Sequence, residues 1–243
     1  MFGVGLLGLS ILCILTKDFI VGRPPAWPNS LQVNPMLAYL SAALLVICAL
    51  GIIANNKGGL SAMIVAALIL LLSVSRHITS LMQDWLNAYK ALALLGGALI
   101  IACSFFKENE LLTGTIRVKP STQKILVTVG CILIAIFFIA CGYAHFKFVD
   151  FIDGFIPAYI PFHTFWTYFT AICLIAGGIG ILLPPTRKWA ALLSGLMVFG
   201  WFLLLHIPRF IANTADASER LGLCESFTFA AIFFALGSLK QKA

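Results

Sequence analysis

Charge is scarce in this chain. Asp, Glu, Lys and Arg together make up 10% of its 243 residues, against about 25% in an ordinary soluble domain. Acidic residues are the rarest, nine against sixteen Lys and Arg. Hydrophobic residues make up 61%, more apolar surface than a single water-facing core can hide, so lipid is the expected solvent. The motifs of common active-site chemistry are missing as well. There is no H-E-x-x-H, nucleophile elbow, glycine-rich phosphate loop or paired-carboxylate arrangement. None of the seven cysteines falls in a C-x-x-C pair or at a zinc spacing, so no metal site is expected and each reads as a small hydrophobe. No basic stripe is interleaved with stacking aromatics, so the net charge of +7 is no nucleic-acid footprint. The first apolar stretch has neither a basic lead-in nor a small-residue cleavage site, and reads as a retained helix rather than a signal peptide.

What is present is a series of apolar runs, each near the roughly 20 residues that cross a bilayer as a helix. Eight are read, at 2–16, 35–53, 59–75, 86–106, 125–146, 164–183, 189–205 and 222–239. They are continuous rather than alternating, which excludes the strands of a membrane β-barrel. If the first run, the shortest, does not span, the count falls to seven. With eight spans both termini share one side, and that side holds nine of the sixteen Lys and Arg and two of the nine acidic residues. By the positive-inside rule it is the cytoplasm. The expected location is a bacterial cytoplasmic membrane, with the bilayer as the certain partner and no nucleic acid.

One phrase occurs twice. Asp18-Phe-Ile-Val-Gly-Arg-Pro-Pro-Ala-Trp27 is echoed 132 residues later by Asp150-Phe-Ile-Asp-Gly-Phe-Ile-Pro-Ala-Tyr159. Further on, at an offset of 129, Tyr39 meets Tyr168, Gly51 meets Gly180 and His77-Ile78 meets His206-Ile207. Asp, Gly, Pro and His are rare here, so their alignment marks an internal duplication. Each copy holds four spans, an even number, so both enter the membrane the same way. The expected fold is therefore all-α, eight transmembrane helices as two tandem parallel four-helix bundles. The first repeat is 1–106, a cytoplasmic linker runs over 107–124, and the second repeat is 125–243.

The echoed phrase sits on the non-cytoplasmic side, after the first helix of each copy. Gly154 is expected to permit a left-handed backbone there, and Pro157 to stop the helix. Trp27, Tyr159, Trp85 and Trp166 fit an aromatic belt on that side. The phrase reads as a structural lid or as a ligand-binding loop. All four histidines, His77, His145, His163 and His206, fall on the same side, and the last three belong to the second copy, whose bundle would gather them. Interface placement, a proton-transfer or ligand role, and a haem or metal role are the readings open to them. The candidate ligand-binding set is Asp18, Trp27, His77, His145, Asp150, Tyr159, His163, His206 and Arg209. Lys90 and Glu225 hold equivalent places in the fourth helices, and are expected to snorkel to the surface rather than pair.

The second half resembles a known family. "GYAHF" (142–146), "IPAYIP" (156–161), "FWTYFTAICLIAGGIGILL" (165–183) and "LLHIP" (204–208) are similar to the DoxX and DoxX-like membrane proteins, four-helix units with a G-x-x-H/K-F end to the first helix. The first half is a weaker match, with Cys13 where His145 stands in the second. The resemblance implies a membrane subunit linked to quinone-dependent redox chemistry, with other membrane or periplasmic redox subunits as partners. Its site would lie near His145, Tyr159, His163, His206 and Arg209, His206 or His145 exchanging a proton and Arg209 steadying negative charge. No other cofactor has a motif. A non-enzymatic scaffold or assembly partner and a small-solute transporter are the alternatives.

Overall fold

The computed structural model describes residues 1–27, 34–106 and 118–239. Among the described residues the chain is all-α. Its helices are α1 (Phe2–Thr16), α2 (Met36–Ile53), α3 (Gly58–His77), α4 (Trp85–Phe105), α5 (Pro120–Lys147), α6 (Val149–Asp153), α7 (His163–Leu182), α8 (Pro184–Ala212) and α9 (Ala217–Ser238). Seven of them, α2 to α5 and α7 to α9, are long and apolar enough to cross a membrane. The chain is thus a multi-pass membrane protein. With 15 residues, α1 is about 22 Å long, short of the roughly 30 Å hydrocarbon core. It nevertheless packs along α2 and α9 among the spans.

Local chemistry sets several helix ends. Pro120 and Pro184 stand at the first turns of α5 and α8, where a missing N–H costs nothing. α9 opens on Asp216, whose carboxylate accepts from the N–H groups of Ser218 and Glu219, an N-cap. The helix of α5 therefore begins inside the expected linker, of which residues 107–117 lie outside the described residues.

The helices form a closed circuit. Each packs on its neighbour in the order α1, α2, α3, α4, α5, α7, α8, α9 and back to α1, with α4 also against α9 across the middle. The circuit runs through both halves of the chain. The backbones of α5 and α9 stay apart, bridged by Phe137 on Phe229 (5.3 Å between ring centroids) and Phe138 on Phe233 (4.6 Å). The open side of each quartet is closed by the fourth helix of the other. Packing is close between α4 and α5, where a Cβ on Gly130 would lie 2.6 Å from the Gly96 carbonyl oxygen and one on Gly96 would lie 2.9 Å from the Gly130 carbonyl oxygen. Small residues there let two backbones touch, the main source of attraction when lipid solvates apolar side chains as well as protein does.

Equivalent positions behave alike in several places. A Cβ on Gly3 would lie 2.8 Å from the Ala49 carbonyl, and one on Gly178 would lie 3.1 Å from the Ala135 carbonyl. These are the same pair of echoed positions, with the glycine on opposite helices. Both third helices also widen into a π-helical segment, Leu70–Val74 in α3 and Phe202–His206 in α8, a feature found often at functional sites.

The α8 helix runs on through Pro208 to Ala212, beyond the expected end at residue 205. A proline inside a helix leaves the carbonyl one turn earlier without its donor. For Pro208 that is the Leu204 carbonyl, and the hydroxyl of Tyr159 donates to it. The echoed phrase also departs from expectation. Gly154 is right-handed (φ −65) and ends α6, whereas the left-handed glycine is its counterpart Gly22 (φ 81).

Candidate functional site

One end of the helix array gathers the polar side chains. Its centre is Glu225 on α9, 3% exposed, at the seam where α4 meets α9. Lys90 of α4 places Nζ 3.3 Å from Oε2 of Glu225. Pairing, not snorkelling, is what the structure shows, because the α4–α9 contact holds the two side chains face to face. The loop after α1 folds into the same place. The Gly22 N–H donates to Glu225 Oε1 at 3.1 Å. Arg23 Nε lies 3.5 Å from Oε2, an ion pair whose geometry leaves that N–H without a hydrogen bond. Arg23 also donates through Nη2 to the Ser218 carbonyl at 3.1 Å. Only glycine fits at 22. Its φ is positive, and a Cβ there would lie 2.9 Å from Cα of Ala91.

The two equivalent histidines flank this centre. His77, 2% exposed, places Nε2 3.4 Å from the Gly22 carbonyl. Since a carbonyl only accepts, Nε2 carries the proton in that contact, and neutral His77 is left with a bare Nδ1. That Nδ1 is buried and has no partner. His206 Nδ1 is likewise buried and unpartnered. It faces Gly222, where a Cβ would lie 3.1 Å from Nδ1 and 3.7 Å from Arg23 Nη2. Buried polar atoms without partners are rare, because each carries a desolvation cost of about 1–3 kcal/mol. Two of them beside one buried ion pair mark the seam as the candidate site.

Other expected site residues are occupied elsewhere. Asp18 accepts from both Arg76 Nη atoms (3.0 and 2.8 Å) and from Trp27 Nε1 (3.0 Å). Arg76 in turn donates to the carbonyls of Pro25 and Phe19 and stacks over Trp27. In the second half of the chain Arg209 does similar work. It pairs with Glu219, donates to the Phe155 carbonyl at 3.1 Å and lies over the Phe155 ring. Each arginine fastens the echoed loop to the end of a third helix, though the two are not at matching positions. Asp150, the counterpart of Asp18, is exposed. Its neighbour Asp153 takes the structural role, accepting from Thr164 and Thr167, and these bonds hold its carboxyl below the usual range.

Among the described residues no hydrogen bond joins His145, His163 and His206 to one another. His145 Nδ1 is bonded to the Cys141 carbonyl of its own helix at 2.8 Å. His163 opens α7 on the Asp153 side. No cluster of three metal-ligating side chains occurs among the described residues. Arg23 and Arg76 were missed as site residues. Arg23 carried a signal, because it stands where the two copies of the phrase disagree, opposite Phe155.

A family model described as a domain of unknown function (DUF8561) matches residues 134–221, from within α5 to the start of α9. The match takes in Tyr159, His206 and Arg209 and stops short of Glu225. No curated protein and no solved structure matches the chain.

Proposed function

We propose that the chain is an eight-span protein of two co-oriented four-helix repeats of the DoxX-like kind, and that it serves as a quinone-linked membrane subunit of a redox system, with the seam around Glu225 as its site. Both termini lie in the cytoplasm in this reading, and the seam opens toward the outer leaflet. The observation that carries it is the pair of equivalent histidines, each with an unpartnered buried Nδ1, set beside a carboxylate that two cations hold. Ionisable groups in a membrane protein interior are costly and are functional candidates by default.

A quinone, when bound, supplies carbonyl oxygens that take up electrons and protons together. The orphaned nitrogens suit its two redox forms: the bare Nδ1 of His77 can accept from a quinol hydroxyl, and His206 in its Nδ1–H tautomer can donate to a quinone carbonyl. His77, its proton fixed on Nε2, can accept a proton at Nδ1 from a bound hydroxyl. His206 has the chemistry to exchange one from its own side. Lys90 and Arg23, two cations against one carboxylate, favour negative charge on a bound oxygen. Arg209 and Tyr159, both held in intrachain contacts, fix the second loop instead.

That same occupation favours a second reading, a non-enzymatic scaffold in which the seam is a keystone joining the repeats. Gentle extraction followed by a mass-spectrometric inventory separates the two. The redox reading expects quinone to co-purify with the native protein and to be lost from His206→Ala, whose thermal unfolding stays unchanged. Native protein that carries no quinone and takes up none when it is added overturns the reading. A stoichiometric protein partner without quinone selects the scaffold.

A further inference from the structure

The outer face of α4 and α5 carries a feature that the seam does not use. A groove of about 480 Å³ runs between them, lined by Trp85, Tyr89, Ile136, Ile139, Tyr143 and Lys147. Its origin is the Gly96–Gly130 contact, where the two backbones meet at about the middle of each helix. Toward the Lys147 end they are held apart by aromatic rings. Trp85 lies 6.1 Å from Tyr89 and 6.3 Å from Tyr143, centroid to centroid.

We propose that this groove binds one acyl chain of an anionic phospholipid, with the headgroup against Lys147. Length supports that occupant. From Ile136 to Lys147 is about 16 Å along the helix, close to half of the roughly 30 Å hydrocarbon core. The groove therefore serves one leaflet and ends where headgroups lie. Its chemistry changes along the same line, from Ile136 and Ile139 through the aromatic rim to a single cation. Lys147 stands over the rings of Tyr143 and Phe148 at 5.9 and 5.3 Å and makes no ion pair among the described residues, so its charge faces the headgroup layer. The equivalent crossing, α9 against α1, is closed. A Cβ on Gly8 would lie 2.7 Å from Cys224 Sγ, and Gly5 abuts Thr228. A lipid site is thus expected once per chain, on one face only.

The test uses the full chain reconstituted in vesicles of equal phosphatidylglycerol and phosphatidylcholine, with retained lipid counted by native mass spectrometry. One basic side chain near an anionic headgroup is worth about 1 kcal/mol, so the native protein is expected to prefer phosphatidylglycerol by about five-fold. Lys147→Gln, at an exposed position, brings the two lipids to parity. Lys17→Gln, just past the end of α1 at the same end of the array, leaves the preference intact. Ala140 also lines the groove, and Ala140→Phe fills it and lowers retention of both lipids. Equal retention by the native protein, an unchanged preference in Lys147→Gln, or an equal loss in Lys17→Gln overturns the proposal, as does quinone in place of phospholipid. None of these outcomes depends on the seam, whose own readout is quinone lost from His206→Ala.

Discussion

Glu225 and Lys90 carry the clearest consequence at the scale of single residues. The carboxylate has three partners: Lys90, Arg23 and the Gly22 N–H. Glu225→Gln takes the charge out of all three contacts at once, whereas Lys90→Met leaves the buried carboxylate paired with Arg23 and bonded by the Gly22 N–H. Glu225→Gln is therefore expected to destabilise the protein more than Lys90→Met, by on the order of 1–3 kcal/mol against about 1 kcal/mol or less. Thermal unfolding in a mild detergent compares the two. Equal losses would mean that Arg23 and Gly22 contribute nothing at this site.

Among the elements, α8 is the informative one. It holds a π-helical segment and a proline within one turn of each other, and the Tyr159 hydroxyl completes the backbone there. Tyr159→Phe keeps the ring and removes only that donor. Its expected cost is about 1 kcal/mol, read as a lower melting temperature with the quinone content of the native protein retained. A Tyr159→Phe variant that lost quinone at unchanged stability would return this residue to the ligand site. The sequence showed the tyrosine and the proline separately. Their connection is between residues 159 and 208, and no local pattern reports a contact of that range.

For the whole molecule, the question is which end of each helix faces which side. Four helices long enough to span, α2 to α5, separate the segments near Trp27 and Tyr159, so the proposed co-oriented repeats put both on the same face of the membrane. Reporter fusions after residues 27 and 159 are expected to read the same side, opposite to a fusion after residue 56. Opposite readings at 27 and 159 would remove the duplication and, with it, the convergence of His77 with His206. The structure already brings the loop after α1 against α9, and α4 against α9. Those contacts tie the first half of the chain to the second at the seam.

The sequence by itself determined that the chain lives in lipid and is all-helical, because composition and the length of apolar runs are one-dimensional properties. It placed most spans to within a few residues, and it exposed the echo, since rare residues at a fixed offset can be counted. It also picked out His77, His206, Lys90 and Glu225. What it could not give was their arrangement. Asp18 and Asp150 are identical letters in identical phrases, yet one is locked to Arg76 and the other is exposed. Gly22 and Gly154 are equally matched, and only Gly22 turns left-handed and enters the seam. Only the tertiary structure decided these matters. Which of two equal side chains is buried depends on what stands across from it, and here that partner lies on another helix, up to 203 residues away.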